Sequence, residues 1–377
     1  MLSLDARLAT LADAGVEIID PRQTYIGPEV ALERVRPGAV LHPGTRLCGA
    51  QTFVGAGAQI GSEGPATVVD AALAAGAEIA SGFVSGAVLL PAAKLGANAH
   101  VRAGTLLEEQ ASTAHAVGLK QTILLAFVTL GSLINFCDCL MAGGSSRSDH
   151  SEVGSGYIHF NFTPWGARGD KATPSLVGDV VAGVFLREPR IFLGGLGGMV
   201  GPCEVGYGAI AGAGQVLRAD VEAQTLSLSA PRAVSRRIRP GARDRLQPRA
   251  TKNIRYVAQL IALREWYRQV RLARLPADDL ELRPVIAAAL ALFDGAIAER
   301  RKQLARFCEE RGAQTPSFEL PADALAPCPW ALAPDARAHL EWVQGLDAAE
   351  VEAGRAWLTR VVDVVVEVAS AQLAGAA

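Results

Sequence analysis

The chain has 377 residues, 50% hydrophobic and 20% charged, which is enough for about two domains with a large buried core. Its formal net charge of −2 gives no basis for general attraction to nucleic acid or to an anionic membrane. The first residues lack the apolar run of a secretory signal, and no uncharged stretch approaches the ~20 residues that span a bilayer, so we expect a cytoplasmic protein.

Hydrophobic residues recur every six positions through the first two thirds of the chain. A period of six fits neither an α-helix nor a simple alternating strand, but it fits a triangular coil with a short strand on each side. After a lead-in helix over residues 1–18, the repeat predicts a left-handed parallel β-helix over residues 19–245. The side chains predicted to point into the prism are Val35, Leu41, Leu47 and Phe53, then Phe83, Leu89, Leu95, Val101 and Leu107, then Leu193, Met199, Val205, Ile210 and Val216.

The repeat is interrupted between about residues 142 and 174 by a segment dense in polar, aromatic and basic residues. Insertions in a solenoid project as loops from one corner, often the binding corner, so we expect one inserted loop that carries functional residues. Just before it, Cys137 and Cys139 form a C-x-C pair, but no second Cys/His pair follows at zinc spacing. We therefore interpret the six cysteines as reduced thiols and expect no metal.

After the repeats, the apolar pattern takes a helical period. It predicts one amphipathic helix over residues 254–271 and another that starts at Ile286 and ends in EERG, with Gly312 as its C-cap. A proline-rich loop then leads to a last helix, which begins at a capping box formed by Asp347 and Glu350. The sequence thus predicts an α-helical C-terminal region over residues 246–377. We expect the β-helix to fold without it, because solenoid stability comes mostly from neighbouring repeats.

Two motifs in the interrupted segment resemble those of the hexapeptide acyltransferases, in particular the acetyltransferase half of the bifunctional enzyme that makes UDP-N-acetylglucosamine. Residues 153–162 read VGSGYIHFNF and residues 171–179 read KATPSLVGD, similar to a family coil I-G-x-G-x-x-x-x-N-Y-D-G followed by a lysine, a threonine and I-G-D. The resemblance covers roughly residues 19–225. It implies a homotrimer that moves an acyl group from acetyl-CoA or another acyl-CoA to an amino sugar, sugar phosphate or nucleotide sugar.

The resemblance also implies roles for individual residues. His115, in TAHAVGLKQ, matches the catalytic histidine of the family, and Asn161 matches the asparagine of its hallmark coil. Lys171 matches the family's lysine, and Phe162 stands where the family has a tyrosine. A histidine suits a general base because its pKa lies near neutrality. His159 is a second candidate, since it lies two residues before Asn161 and would share its face of an extended strand.

Further binding residues are predicted from their chemistry. Arg168 and Lys171 are candidates for binding a phosphate, and Trp165 is a candidate for stacking on a sugar or adenine ring. An arginine-rich segment that includes Arg236 and Arg237 follows the last coils, where the acyl-CoA channel of the family runs. It is either a cradle for the phosphates of coenzyme A or a solvated linker paired with acids of the helical region.

Departures from the family pattern keep two other hypotheses open. The paired lysines of the family would fall near Glu108 and Glu109, a reversal of charge where a sugar phosphate binds, and the family's tyrosine hydroxyl is missing. Both features favour a non-catalytic β-helix that binds a nucleotide sugar or scaffolds partners. A zinc enzyme resembling the γ-type carbonic anhydrases would use His115, His150 and His159 across a subunit interface, although the usual spacing of two histidines five residues apart is absent. We expect no uridylyltransferase half, because no glycine-rich nucleotide loop lies near the first residues.

Overall fold

The computed structural model describes residues 2–164, 169–228, 235, 246–321 and 324–374. The repeats form a parallel β-solenoid with three faces, and the helices that follow cover one of these faces. The predicted fold class, a β-helix followed by an α-helical region, is confirmed. Helix α1, Leu4–Asp13, precedes the first coil and buries Leu8 and Leu11 against its open end.

Face 1 of the solenoid is an 11-stranded parallel sheet. Its strands are Glu17–Ile18, Val40–Leu41, Gln59–Ile60, Glu78–Ile79, Lys94–Leu95, Ser112–Thr113, Thr129–Leu130, Glu152–Val153, Phe192–Leu193, Ile210–Ala211 and Leu226–Ser227.

Faces 2 and 3 together form a 16-stranded sheet, because two strands, Gly118–Leu124 and Asn135–Met141, continue round the corner between them. The other strands of face 2 are Tyr25–Ile26, Arg46–Cys48, Ala66–Val69, Gly82–Ser85, Ala99–Val101, Ile158–Phe160, Gly198–Val200 and Val216–Leu217. Those of face 3 are Phe53–Val54, Ala72–Leu73, Ala87–Leu89, Thr105–Leu107, Ser175–Val177 and Glu204–Val205. Single turns of helix lie at Pro21–Gln23, Leu32–Arg34 and Val180–Gly183 (α2).

Aliphatic side chains from the three faces fill the prism and stack on their counterparts in the next coil. Most residues of the predicted repeat point inward. Four point outward instead, and in each case the next residue faces the core: the outward residues are Phe53, Phe83, Ile210 and Val216, and the inward ones Val54, Val84, Ala211 and Leu217. Both members of each pair are nonpolar. Where a coil changes length by one residue, the period of six therefore does not tell which of the two faces the core.

The segment predicted as one inserted loop is divided in the structure. An antiparallel hairpin, Gly144–Ser146 with Asp149–His150, projects at the corner between faces 3 and 1. An ordinary coil follows, with strands on faces 1 and 2. The second excursion, described for residues 161–164 and 169–174, lies at the corner between faces 2 and 3. We call it the corner loop.

The helical region packs on face 3. Helix α3, Leu246–Trp266, continues as a π-helical turn, Tyr267–Arg271, and is followed by α4, Arg283–Glu309, α5, His339–Gln344, and α6, Ala348–Ala374. The predicted capping box of α6 is present: the Asp347 amide donates to the Glu350 carboxylate at 2.9 Å, and the Glu350 amide donates to Asp347 at 2.8 Å. None of the helices in the described ranges combines the length and the nonpolar composition of a membrane span.

The outward side chains of face 3 form a nonpolar ladder beneath these helices. Its members are at most 4% exposed: Phe53, Ala72, Val88, Leu106, Ile123, Leu140 and Leu176. They belong to the same hydrophobic cluster as Ile254, Trp266 and Phe293 of the helices. The boundary near residue 246 is therefore a change of secondary structure within a shared core.

Candidate functional site

The corner loop begins with Asn161, whose side chain is fixed by a buried carboxylate. Asp138 lies at the corner between faces 2 and 3, with a φ of +61° and only 3% exposure. One of its oxygens accepts a hydrogen bond from Asn161 Nδ2 at 2.8 Å, and the other pairs with Arg300 of α4 at 2.9 Å. This arrangement sets the orientation of the Asn161 amide, which stays partly exposed.

A band of polar side chains lies beside Asn161 on the outside of face 2. Arg102, Lys120 and Cys137 hold equivalent positions in three consecutive coils. Arg102 Nη2 lies 3.9 Å from the Cys137 sulfur, whose thiol donates to Asn135 Oδ1 at 3.8 Å. Burial raises the pKa of the Cys137 thiol, and the Asp138 charge adds to this, so the thiol is neutral.

We call Arg102, Lys120, Asn135 and Asn161 the polar surface. It combines two permanent or near-permanent cations with two amides that both donate and accept hydrogen bonds. Such a set can bind an anionic group together with hydroxyl or amide groups. Only Asn161 belongs to the motifs predicted from the sequence, although Arg102 and Lys120 stand about one coil apart and the repeat therefore gave a signal for them.

Two other residues expected to bind substrate lie on the corner loop. Phe162 is 50% exposed, and Lys171 is exposed. The loop is closed at its base by two backbone hydrogen bonds between Thr163 and Asp170, at 3.0 and 2.8 Å. Trp165 and Arg168, expected to contact substrate, lie outside the described residues, as do Arg236 and Arg237, expected to bind coenzyme A.

His159 lies inside the prism, where the neighbouring coils have a nonpolar residue. It is 2% exposed, pairs with Met199 in the next coil and packs against Phe136. Its Nδ1 lies 2.5 Å from the Cys137 carbonyl oxygen, and its Nε2 lies 2.8 Å from Ser175 Oγ. Burial lowers the pKa of His159 to about 4, so the ring is neutral at pH 7. The expectation that it shares a face with Asn161 is corrected: the strand Ile158–Phe160 ends before Asn161, so the alternation of side chains stops at the corner and only the His159 ring points into the core.

His115 is exposed at the corner between faces 1 and 2, with Nδ1 at 3.0 Å from Ser132 Oγ. Asn161 lies at the opposite edge of face 2, so one chain does not bring the two predicted catalytic residues together. His150 lies at the third corner, where its Nδ1 is 2.9 Å from the Arg147 carbonyl oxygen. The three histidines of the zinc hypothesis are therefore separated, and the described residues contain no group of three or more potential ligands that could hold a metal.

Glu108 and Glu109 are buried beneath the helical region rather than facing a ligand. Arg271 Nη1 lies 3.3 Å from Glu108, Arg271 Nη2 binds Glu109, and the Tyr267 hydroxyl donates to Glu108 at 2.7 Å. Burial raises the pKa of Glu108 to about 7, with the Arg271 charge opposing and the Glu109 charge reinforcing the shift. The reversal of charge relative to the family thus has a structural reason: these carboxylates receive the cation of the π-helical turn.

No family model matches the chain. Curated relatives do match, among them several that carry the name bifunctional protein GlmU. That of Pseudarthrobacter chlorophenolicus is 32% identical over 217 residues, or 57% of this chain and 38% of the relative. That of Nocardia farcinica is 31% identical over 216 residues, with the same coverage of 57% and 38%. That of Desulfitobacterium hafniense is 29% identical over 216 residues, 57% of this chain and 42% of the relative.

The chain thus spans about two fifths of the length of these relatives. A solved structure of an Arabidopsis UDP-N-acetylglucosamine acyltransferase covers 74% of this chain and 91% of its own at 14% identity, but its TM-score of 0.23 is too low to carry an argument. The sequence matches and the solenoid confirm the predicted relationship. Over these residues the chain is a hexapeptide-repeat solenoid related to the GlmU proteins.

Proposed function

We propose that the chain transfers an acyl group from an acyl-CoA to an acceptor that carries both a sugar and a phosphate. The acceptor is an amino sugar phosphate or a nucleotide sugar. The observation that carries the proposal is the sequence relationship to the GlmU proteins, which spans 217 residues. The polar surface supports it, because Arg102 and Lys120 suit a phosphate and the amides of Asn135 and Asn161 suit sugar hydroxyl or N-acyl groups.

The chemical step needs a base for the nucleophile of the acceptor, and His115 is the proposed one. The His115 ring is exposed, and the contact of its Nδ1 with Ser132 Oγ at 3.0 Å leaves Nε2 to take the proton of an amine or hydroxyl. Acyl transfer then forms the new amide or ester bond and releases coenzyme A, whose thiolate takes up that proton. Lys171 and Asn161 hold the acceptor, and Arg236 and Arg237 are proposed to bind the phosphates of coenzyme A.

We further propose that the working form is a homotrimer in which the site is shared between chains. His115 and Asn161 lie at opposite edges of face 2, so a second copy has to bring one to the other. The helices cover face 3 and leave the corner between faces 1 and 2 open. Beside that corner, Phe192, Ile210 and Leu226 form an outward nonpolar ladder, 39%, 46% and 62% exposed, which suits contact with another copy.

Release of free thiol from acetyl-CoA, measured with an amino sugar phosphate and with a nucleotide amino sugar as acceptors, tests the function. His115→Ala should lower turnover ~10²-fold or more, the usual effect of losing a general base. Lys171→Ala should weaken acceptor binding by roughly 1.5–3 kcal/mol, the range for a hydrogen bond to a charged group.

His100→Ala is the matched control for His115→Ala. His100 is also exposed on face 2, where its ring stacks on Phe83 with centroids 5.5 Å apart, and it has no assigned role. Equal activity of the His115→Ala and His100→Ala variants would exclude His115 as the base. Binding of the nucleotide sugar without release of thiol from any acyl-CoA would instead identify a non-catalytic binding protein.

A further inference from the structure

The start of the corner loop is connected to the helical region through a buried ion pair. Arg300 of α4 and Asp138 are each about 4% exposed or less, and they pair at 2.9 Å. The second oxygen of Asp138 holds Asn161 Nδ2 at 2.8 Å. The orientation of a proposed acceptor-binding amide therefore depends on an arginine that lies more than a hundred residues later in the chain.

The end of the corner loop is held in the same way by α3. Arg249 pairs with Asp170 at 2.5 Å, and Asp170 is 4% exposed. The other oxygen of Asp170 accepts the Ala172 amide at 2.7 Å, while Asn253 Nδ2 donates to the Ala172 carbonyl oxygen at 3.0 Å. These contacts fix the backbone on both sides of Lys171.

Ion pairs of this kind set geometry more than they add net stability. Removing two charges from water costs about as much as their attraction returns, so a nonpolar pair of similar size would stabilise the interface equally well. A nonpolar pair would not fix the direction of a carboxylate, whereas here each carboxylate holds both an arginine of the helices and a group of the loop. Two such arrangements, one at each end, point to a requirement for precise placement of the loop.

We propose that Arg300 and Arg249 are positioning residues, through which the helical region holds Asn161 and Lys171 in the orientation that binds the acceptor. The inference deepens the proposed function and rests on it for the chemical role of the loop. The placement itself is a property of the fold and can be measured without any substrate.

Hydrogen exchange at three backbone amides of the loop reports its order. The Thr163 and Asp170 amides bond across the base of the loop, and the Ala172 amide bonds to Asp170. In Arg300→Gln and in Arg249→Gln, exchange at these amides should become about tenfold faster or more, as expected for loss of a hydrogen bond to a charged group. Arg306→Gln is the control, because Arg306 lies on the same helix as Arg300 and pairs with Glu310 at 3.3 Å without touching the loop.

Kinetics supply the second readout. Both variants should raise the KM for the acceptor about tenfold and leave the KM for acyl-CoA within about twofold, whereas a purely structural loss would lower activity only in proportion to folded protein. Arg300→Lys, which keeps the charge, should recover part of the acceptor affinity. If Arg300→Gln does not fold, Arg300→Lys and Arg249→Gln decide the question.

Loop exchange that matches the Arg306→Gln control in these variants overturns the proposal. So does an equal rise of both KM values. If the wild-type protein transfers no acyl group, the proposed function fails on its own, and faster loop exchange in the variants still demonstrates the placement by the helices.

Discussion

The buried His159 makes a specific prediction about how stability depends on pH. Its pKa of about 4 in the folded chain lies below the value of about 6.5 expected after unfolding. Between these two values the unfolded chain binds more protons, so acid favours unfolding. The stabilisation is complete above about pH 6.5 and is lost as the pH falls toward 4. At about 1.4 kcal/mol per pH unit, the loss amounts to about 3 kcal/mol in total and about 2 kcal/mol by pH 5.

His159→Gln isolates this effect, because glutamine can both donate and accept a hydrogen bond but does not titrate. Glu108 titrates in the opposite sense: its pKa of about 7 lies above the ordinary value of a glutamate, so its burial costs less as the pH falls. This contribution is present in both proteins and cancels in their difference. The free energy of unfolding in urea, measured from pH 8 to pH 4.5, should show wild type losing about 2–3 kcal/mol relative to the variant.

His159→Asn provides the control, since it also lacks a titrating ring. Its difference from His159→Gln should not change with pH. A wild-type-minus-variant difference that stays constant within about 0.5 kcal/mol over this range would contradict the burial of a neutral imidazole in the prism.

Three further predictions follow from the surfaces and the interface. Light scattering should give a trimer for the wild type and a smaller species for Ile210→Asp. Leu280→Asp, a change at a residue of the helical region that is also exposed (62%), should stay trimeric. A monomeric wild type would refute the shared site. The sequence-based expectation is that the β-helix folds without the helical region. We now expect a chain that ends at residue 245 to aggregate in size-exclusion chromatography, because the nonpolar ladder of face 3 becomes exposed. A soluble species with cooperative unfolding would support the original expectation. Arg271→Met should lower the free energy of unfolding by about 3–5 kcal/mol at pH 8 and by less at pH 6, where Glu108 takes up a proton. An equal loss at both pH values would contradict the pairing of Arg271 with Glu108 and Glu109.

The solenoid could be predicted from the sequence because each coil repeats the same local rule. The sequence also contains a signal for the face that the helical region covers. On most strands of face 3 the residue before the inward one is itself nonpolar, as in Leu106 before Leu107 and Ile123 before Leu124. Such pairs indicate strands buried on both sides. Polar or small residues stand at most of the corresponding positions of face 1, which stays open to solvent.

The candidate site was less predictable, since its contacts join residues distant in the chain. No spacing rule connects Asp138 with Arg300, and the pair exists only because α4 crosses the corner where Asp138 sits. The period of six places His159 inward, six residues after the core residue Val153, whereas alternation counted back from Asn161 put the two on one face. The reversal of charge at Glu108 and Glu109 was visible in the sequence, whereas its partner Arg271 could be identified only from the packing of the π-helical turn.

The ion pairs between helices and coils have a consequence for how this protein can change in length. A bare solenoid can gain or lose a coil at little cost, since each coil meets only its neighbours. Here Arg36 pairs with Glu281 near one end, and Glu188 pairs with Arg355 several coils later. Inserting one coil between them would move one anchor by the strand spacing, about 4.8 Å, more than an ion pair tolerates. The helices thus fix the number of coils between the two ion pairs. We expect insertions and deletions of whole coils only in the parts of the solenoid outside the segment between Arg36 and Glu188.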